Sequence, residues 1–264
     1  AMLTLLTPLS LLTAASAVRL GQNPTVSVLQ NASISLFTAK SEGRPPCKCE
    51  GFNETWSKAP RREPRCLFFD LGAADGETYR AFVHKSSEWS FNYDAGSFTH
   101  DQCSAYLIEA NPFFAPQLEA LRTSLVKPMA GTAAYMCDKQ NEKFYLDLSE
   151  SRAQGSSLDS QNEYVTEKVS VSVQLYNLMR LLIETAIPED TVIVKMDIEG
   201  AEYDILPCLA KSPAAALIDT LYIEDHCPGK WWCAGKGQAD NSRRKFHRAE
   251  RALRRRGVAI PRNY

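Results

Sequence analysis

The chain has 264 residues, of which 44% are hydrophobic and 23% charged. This ordinary globular composition excludes a wholly disordered chain, a collagen-like repeat and a multi-pass membrane protein. The length suits one α/β domain with an appendage, or two small domains.

The formal net charge of -1 is unevenly distributed along the chain. Residues 241–264 hold nine basic residues and one acid, so this segment carries +8 and the other 240 residues carry -9. We predict no specific nucleic-acid partner. The basic segment is interpreted as a solvated amphipathic helix packed on the domain, with docking to an anionic polymer or membrane surface as the alternative.

Residues 1–19 are apolar, with no charge before Arg19, and they contain Ala15-Ser-Ala17, the A-x-A form of a signal-peptidase site. Pro8 interrupts the run, which is a little short for a bilayer span. We predict a signal peptide or the remnant of a membrane anchor, through which the protein would associate with a membrane. A buried helix is the alternative. Two glycosylation sequons follow, at Asn31 and Asn53.

Eight cysteines form an even set, which permits disulfides in an oxidising compartment. Cys227 and Cys233 bracket a short loop that a disulfide would close. The alternative is that several cysteines, above all Cys103, Cys137 and Cys208, are small buried hydrophobic residues. Leader, sequons and cysteines together predict the secretory pathway, with the protein luminal, membrane-anchored or secreted.

Residues 20–62 are rich in Ser, Asn, Pro and Gly and are interpreted as a stem, followed by a domain at 63–264. In that domain, short apolar runs alternate with helical spacers. This pattern predicts a doubly wound, mostly parallel α/β sheet of Rossmann-like type. The predicted strands are 66–70, 105–109, 127–136, 144–148, 191–197 and 217–224, and the predicted helices are 77–83, 113–125 and 175–185.

Four of the predicted strands end in an acidic residue, and ligands of such sheets lie beyond the carboxyl ends of the strands. Pro207 is expected to interrupt the helix after the 191–197 strand, or to shift its start.

The turn after the first strand contains Gly72, which permits a sharp turn and close approach of a ligand, and Gly76, which relieves crowding where a helix starts. The spacing is G-x-x-x-G, which disfavours a nicotinamide-dependent dehydrogenase. Glu109 ends the second strand, where a carboxylate can accept both hydroxyls of a ribose. The long interval between Asp70 and Glu109 includes segment 86–102, interpreted as an insertion near the site.

The segment 195–202, Lys-Met-Asp-Ile-Glu-Gly-Ala-Glu, closely resembles the hallmark of the FkbM family of S-adenosylmethionine-dependent methyltransferases. Segment 69–76 resembles the cofactor loop of that family, 107–112 its second-strand motif and 155–158 its short serine segment. The resemblance runs in order from about residue 68 to 224.

The resemblance implies a class I methyltransferase fold, S-adenosyl-L-methionine as cofactor, and methyl transfer, typically to a hydroxyl oxygen. On matching positions it implies that Asp70, Gly72 and Gly76 contact the methionyl end and Glu109 the ribose. Asp138, which follows the third predicted strand, is assigned to the adenine end.

Asp197, Glu199 and Glu202 are expected near the methyl-transfer site. Spacing of three predicts that Glu199 and Glu202 share a helix face, or that they cap or pair at the helix start. Asp197 and His226 are the candidate general bases. His226 is preferred because imidazole titrates near working pH, and a loop histidine bonded to backbone is the alternative.

A hard-metal site is a further possibility for the acids around the strand ends, since carboxylates suit magnesium or calcium. It would combine Asp197, Glu224, Asp225 and His226. No family motif requires a metal, and none is predicted.

The leading hypothesis is therefore an O-methyltransferase of the secretory pathway, acting on a small molecule or a glycan. The alternative is a catalytically silent Rossmann-like domain that binds carbohydrate through Trp231 and Trp232, a pair that would equally suit a core. No pattern in the sequence predicts the oligomeric state.

Overall fold

The computed structural model describes residues 45, 47–84, 93–148, 153–165, 169–226 and 239–261. The predicted leader, the first sequon, the Cys227 and Cys233 pair, the two adjacent tryptophans and part of the 86–102 insertion lie outside the described residues. The second sequon lies inside them, and Asn53 is exposed. None of the described helices is long and apolar enough to cross a membrane.

The helices and strands follow one another in an order that alternates β and α through much of the chain. They are β1 (Cys66–Leu71), α1 (Glu77–His84), β2 (Ser104–Glu109), α2 (Ala115–Glu119), β3 (Val126–Ala130), β4 (Thr132–Tyr135), β5 (Lys139–Tyr145), β6 (Ser170–Asn177), α3 (Leu178–Thr185), β7 (Thr191–Met196), α4 (Glu202–Leu209), β8 (Thr220–Ile223) and α5 (Ala239–Arg255).

The main sheet has the order β3-β2-β1-β7-β8, and all its neighbouring strands are parallel. Side chains of β1 alternate between the two faces, because successive residues of a strand point to opposite sides. Phe69 and Leu71 pack with residues of α3 and α4 on one face, whereas Phe68 packs with Phe82 of α1 and Leu118 of α2 on the other. The predicted mostly parallel α/β fold is confirmed.

A second, three-stranded sheet has the order β4-β6-β5, with β4 and β6 parallel and β5 antiparallel to β6. The predicted strand 127–136 is wrong as one element. It is two strands in different sheets, separated by Gly131, whose φ is +69°. The sequence pattern did not reveal this break, because apolar residues continue on both sides of Gly131.

The predicted helix 175–185 is also shorter than expected. Leu175 belongs to β6, where Val171, Val173 and Leu175 are buried at a period of two. Helix α3 begins at Leu178, because the Asn177 side chain accepts the backbone N–H groups of its first turn. The predicted helix at 113–125 contracts to α2 and a preceding 3-10 turn.

Pro207 lies inside α4 without ending or delaying it, so the expected interruption is wrong. The helix begins at Glu202, and the backbone N–H of Ala210 still donates to Leu206 at 3.0 Å. A proline in so short a helix removes one backbone hydrogen bond, while Leu206 and Leu209 beside it stay fully buried.

The basic C-terminal segment forms the amphipathic helix α5. Its apolar residues Phe246, Ala249 and Leu253 are buried, and Phe246 stacks on Tyr203 of α4 with ring centroids 4.7 Å apart. The exposed side is strongly cationic. Packing of the helix on the domain is confirmed, and docking to an anionic surface stays a prediction.

Disulfides account for six cysteines among the described residues, in the pairs Cys47–Cys137, Cys49–Cys208 and Cys66–Cys103. The alternative that Cys103, Cys137 and Cys208 are unpaired buried hydrophobic residues is therefore wrong. Their burial follows from the cross-links as much as from their apolar character. The three cross-links are compatible with an oxidising compartment.

The described part of the predicted stem packs against the domain. The backbone N–H of Glu50 donates to the Met136 carbonyl at 3.0 Å, and Asn177 Nδ2 donates to the Glu50 carbonyl at 2.9 Å. Arg61 forms an ion pair with the buried Asp190. Contacts near both ends of segment 47–62 therefore hold it against the domain.

Replacing both Cys49 and Cys208 with serine is expected to lower the free energy of unfolding by about 2–5 kcal/mol. The cross-link joins positions 159 residues apart, so its removal frees a long loop in the unfolded chain. Denaturant unfolding of the variant and the parent checks this. Equal midpoints would show that the cross-link contributes nothing to stability.

Candidate active site

The acidic strand ends meet at one edge of the main sheet. Strands β1 and β7 are neighbours in the sheet. From β1 the chain continues to β2 and β3 on one side, whereas from β7 it continues to β8 on the other side. The backbone N–H of Asp197 donates to Leu71 at 3.1 Å, and that of Glu224 donates to Met196 at 3.0 Å. This is the switch point at which sheets of this type bind ligands.

A cavity of about 380 Å³ opens at this edge. Its volume lies in the range of sites for small ligands. One side is formed by the loops after β1, β2, β7 and β8, and the other by β4, β5 and residues 153–158. The predicted site residues that line it are Gly72, Glu109, Asp197, Glu199 and His226.

Gly72 directly follows β1 and lies against the loop after β7. Its φ is +79°, and a Cβ atom there would lie 1.8 Å from the carbonyl oxygen of Asp197. Gly76 does not line the cavity, and a Cβ there would lie 2.4 Å from Leu121. The first glycine therefore shapes the cavity, and the second admits the packing of α1.

Asp70 lies beneath the cavity, fully buried, and does not line it. Lys195 Nζ lies 3.3 Å from Asp70 Oδ1 and 3.1 Å from Asp197 Oδ2, and it donates to the Gly72 carbonyl at 2.9 Å. Burial raises the pKa of Asp70 to about 6, against the opposing charge of Lys195. Lys195 thus ties the cofactor-loop motif to the 195–202 motif.

Glu109 is a buried carboxylate on the cavity wall. Its Oε2 accepts the backbone N–H of Ala74 at 2.8 Å, and its Oε1 accepts that of Asn111 at 2.6 Å. Burial raises the pKa of Glu109 to about 7, although both hydrogen bonds oppose the rise. Asn111 in turn donates to Ser156 Oγ at 3.2 Å, which joins the serine segment to the second-strand motif.

Four carboxylates surround the imidazole of His226. Nδ1 lies 3.0 Å from Glu202 Oε1, while Nε2 lies 3.3 Å from Asp197 Oδ1, 3.4 Å from Glu199 Oε1 and 3.7 Å from Glu224 Oε1. Asp197 and Glu199 lie in the loop after β7, Glu202 is the first residue of α4, and Glu224 and His226 follow β8. Parallel pairing of these two strands brings the loops together.

Burial opposes the positive charge on His226, but attraction to Glu202 and hydrogen bonds with Asp197 and Glu199 outweigh it. They raise the pKa of the imidazole far above its ordinary value. Burial likewise opposes ionisation of Asp197, but Lys195 and His226 outweigh it and hold its pKa well below the usual range. These contacts favour the protonated ring, whereas the predicted general base requires the neutral one.

The model of the methyltransferase FkbM domain matches residues 70–257. The chain belongs to the FkbM methyltransferase family. Membership of this family makes the protein a methyltransferase, and the parallel sheet with its edge cavity is the Rossmann-like fold expected for it. No curated protein and no solved structure matches the chain.

Besides Asp70 and Gly76, two further predicted residues of this FkbM methyltransferase do not line the cavity. Asp138, assigned to the adenine end, forms an ion pair with Arg180 at 3.0 Å and accepts the backbone N–H of Asn177 at 2.9 Å. The assignment followed from placing one long strand before it, and that strand is divided. Glu202 is fully buried behind the cavity wall, where it accepts the N–H groups of Ile198 and Gly200.

Glu199 and Glu202 do not share a helix face, so that expectation is wrong. Helix α4 begins only at Glu202, and Glu199 precedes it in a turn with φ of +53°. Ser157 Oγ donates to the Glu199 carbonyl at 2.7 Å and fixes this turn. The capping alternative describes Glu202, while the Glu199 side chain faces the cavity.

Sequence reasoning named Lys195 only as part of a motif, and Glu224 only as a strand-end acid and a metal candidate. A lysine within an otherwise apolar strand is the signal that could have identified Lys195, since a buried amine requires a carboxylate partner. Glu224 lines the cavity, and burial together with Asp197 raises the pKa of its carboxyl.

Proposed function

We propose that this FkbM methyltransferase transfers a methyl group from S-adenosyl-L-methionine to a hydroxyl oxygen. The observation that carries the proposal is a single cavity whose wall contains both Glu109 with Gly72 and the carboxylates around His226. The part with Glu109 and Gly72 suits the nucleoside of the cofactor. The part with the carboxylates around His226 suits an acceptor whose hydroxyl oxygen must lie in line with the S–CH3 bond.

S-adenosyl-L-methionine supplies an electrophilic methyl carbon on a positively charged sulfur. The described residues fit such a ligand. Each oxygen of Glu109 accepts one backbone N–H and has a further lone pair for a ribose hydroxyl. Ile108, Ala110 and Phe114 provide apolar wall beside it, and Asp197 with Glu199 gives the cavity the acidic character that a sulfonium favours.

Asp197 is the residue we propose to contact the acceptor. Held ionised by Lys195 and His226, it accepts a hydrogen bond from the acceptor hydroxyl and orients its oxygen. Such positioning supplies much of the barrier reduction in bimolecular transfers. As the O–CH3 bond forms and the S–CH3 bond of the methyl donor breaks, the hydroxyl becomes strongly acidic, and the ionised Asp197 would take its proton. His226 holds Asp197 and Glu199 in place.

We also propose that the protein works in the secretory pathway and that its acceptor is a glycan hydroxyl. Three disulfides and the exposed Asn53 support the compartment, and the glycan follows from the compartment together with the resemblance. Attachment to a membrane through residues 1–19 is part of the same proposal. The carbohydrate-binding alternative rests on Trp231 and Trp232, which lie outside the described residues, and no contact among the described residues favours it.

Calorimetric titration of the full chain with S-adenosylhomocysteine tests the cofactor, and transfer of labelled methyl to saccharides, lipids and small alcohols tests the reaction. We expect saturable binding and transfer to a saccharide. No binding would contradict the cofactor, and binding without transfer to any acceptor would favour the silent domain.

Asp197→Asn is expected to lower methyl transfer by about 10²-fold while S-adenosylhomocysteine still binds. The amide keeps the shape of the side chain but loses the charge that orients the acceptor. Glu119→Gln, at an exposed pair on α2, is the control and should leave transfer unchanged. Transfer by Asp197→Asn at the rate of the parent would remove Asp197 from the mechanism.

A further inference from the structure

Three side chains on the cavity wall bring ligand atoms for a metal ion together. One oxygen each of Asp197 and Glu199 and one nitrogen of His226 all lie within 4.8 Å of one another. Two donors about 2.1 Å from one cation and at right angles to each other lie about 3 Å apart. The distances from His226 Nε2 to Asp197 and Glu199, 3.3 and 3.4 Å, are close to that spacing.

An ion-pair network does not satisfy this cluster. The single hydrogen on Nε2 of His226 can point at only one oxygen, yet Asp197, Glu199 and Glu224 all converge on that atom. In addition, Glu199 Oε2 is a buried oxygen to which no described residue donates a hydrogen bond. A buried acceptor without a donor is costly, and a cation would satisfy it.

The surroundings fix the orientation that a metal ligand needs. Glu202, fully buried, binds Nδ1 of His226 and is itself held by the N–H groups of Ile198 and Gly200. A carboxylate behind the imidazole orients the other ring nitrogen toward a metal. Lys195 binds Oδ2 of Asp197, which leaves Oδ1 facing His226.

We propose that Asp197, Glu199 and His226 bind one hard divalent cation of the Mg²⁺ or Mn²⁺ class, with Glu224 at the edge of its coordination shell. Two or three carboxylate oxygens with one imidazole nitrogen form a donor set for such ions, and there is no thiolate for a soft metal in the set. In this state the cation occupies the position of the Nε2 hydrogen.

The cation has a role in the reaction that rests on the proposed function. All four residues line the cavity, so the cation would face the acceptor and coordinate its hydroxyl oxygen. Coordination to a divalent cation polarises the O–H bond and lowers the pKa of the hydroxyl. The lowered pKa would ease loss of the hydroxyl proton to Asp197 as the O–CH3 bond forms.

Mn²⁺ alone is the probe for the site. After treatment with chelator, the full chain is titrated with Mn²⁺, and free Mn²⁺ is followed by electron paramagnetic resonance. We expect one bound ion per chain, and nitrogen coupling from His226 in the pulsed spectrum. A protein that binds no Mn²⁺, or binds it without nitrogen coupling, would overturn the proposal.

Glu199→Gln is expected to weaken Mn²⁺ binding at least about tenfold. Loss of a residue that only orients a metal ligand already lowers metal affinity by about 10- to 100-fold, and loss of the ligand itself should cost no less. Glu109→Gln is the matched control, because it makes the same change on the same cavity wall outside the cluster and should leave Mn²⁺ binding unchanged. Thermal unfolding of both variants establishes that they are folded.

His226→Asn provides a second variant and should abolish the nitrogen coupling. Unchanged Mn²⁺ affinity in Glu199→Gln would overturn the assignment.

Failure of this proposal is distinguishable from failure of the proposed function. If the protein bound S-adenosylhomocysteine but no Mn²⁺, the metal proposal would be wrong and the proposed methyl donor would stand. If the protein bound Mn²⁺ but not S-adenosylhomocysteine, the metal site would stand and the proposed cofactor would be wrong.

Discussion

Glu109→Gln is expected to weaken S-adenosylhomocysteine binding by about 10- to 100-fold. Hydrogen bonds to a charged group contribute about 1.5–3 kcal/mol each, and the substitution removes the charge. The new amide nitrogen must also face the backbone N–H of Ala74 or of Asn111, so one of these hydrogen bonds is lost. Calorimetric titration of the variant and the parent measures the change.

The same carboxylate should make binding depend on pH. Burial raises the pKa of Glu109 to about 7, so a proton occupies the group increasingly as the pH falls below 7. A protonated Glu109 accepts ribose hydroxyls less well, and affinity should fall by up to about tenfold per pH unit below the pKa.

Glu109→Gln serves as the control for the pH effect, because it cannot gain a proton. Between pH 6 and 8 its weaker affinity should stay constant, while that of the parent rises with pH. Equal affinities of the parent at pH 6 and pH 8 would show that the ionisation of Glu109 does not govern binding.

The sheet and the acids at its edge were predictable because they depend on local patterns. Strands β1, β2 and β7 are buried on both faces, and such strands are continuous apolar runs in the sequence. Since parallel strands end at the same edge, Glu109, Asp197 and Glu224 could be placed there before any distance was known.

The partners of those acids were not predictable, because they depend on the register between distant strands. His226 meets Asp197 only because Met196 pairs with Ile223 across β7 and β8. The cross-link between Cys49 and Cys208 joins segments whose approach no local pattern encodes.

A local pattern also fails where one residue changes the direction of the chain. In the run 127–136 apolar residues continue on both sides of Gly131, which separates β3 from β4 and has a φ of +69°. The assignment of Asp138 to the adenine end depended on that run being one strand. The strand that was expected to lead into the site is divided, and Asp138 does not line the cavity.

Gly72→Ala is expected to lower the free energy of unfolding by about 2–5 kcal/mol. An alanine at a φ of +79° costs about 1–2 kcal/mol, because its Cβ crowds the following carbonyl. The Cβ would also lie 1.8 Å from the carbonyl oxygen of Asp197, and overpacking of this kind adds about 1–3 kcal/mol. Denaturant unfolding of the variant measures the total.

Gly131→Ala separates the two causes. Gly131 has a similar φ of +69°, but a Cβ there meets no atom within 4 Å, so only the backbone cost of about 1–2 kcal/mol applies. A larger loss for Gly72→Ala than for Gly131→Ala would measure the clash with the loop after β7. Equal losses would show that this loop yields to the new methyl group.

The clash also predicts what else Gly72→Ala disturbs. The atom it strikes is the backbone of Asp197, whose side chain is held by Lys195 and His226. Displacing that backbone should weaken Mn²⁺ binding as well as S-adenosylhomocysteine binding, whereas Glu109→Gln should affect only the latter. Loss of cofactor binding in Gly72→Ala with Mn²⁺ binding intact would instead mean that the methyl group blocks the cofactor directly.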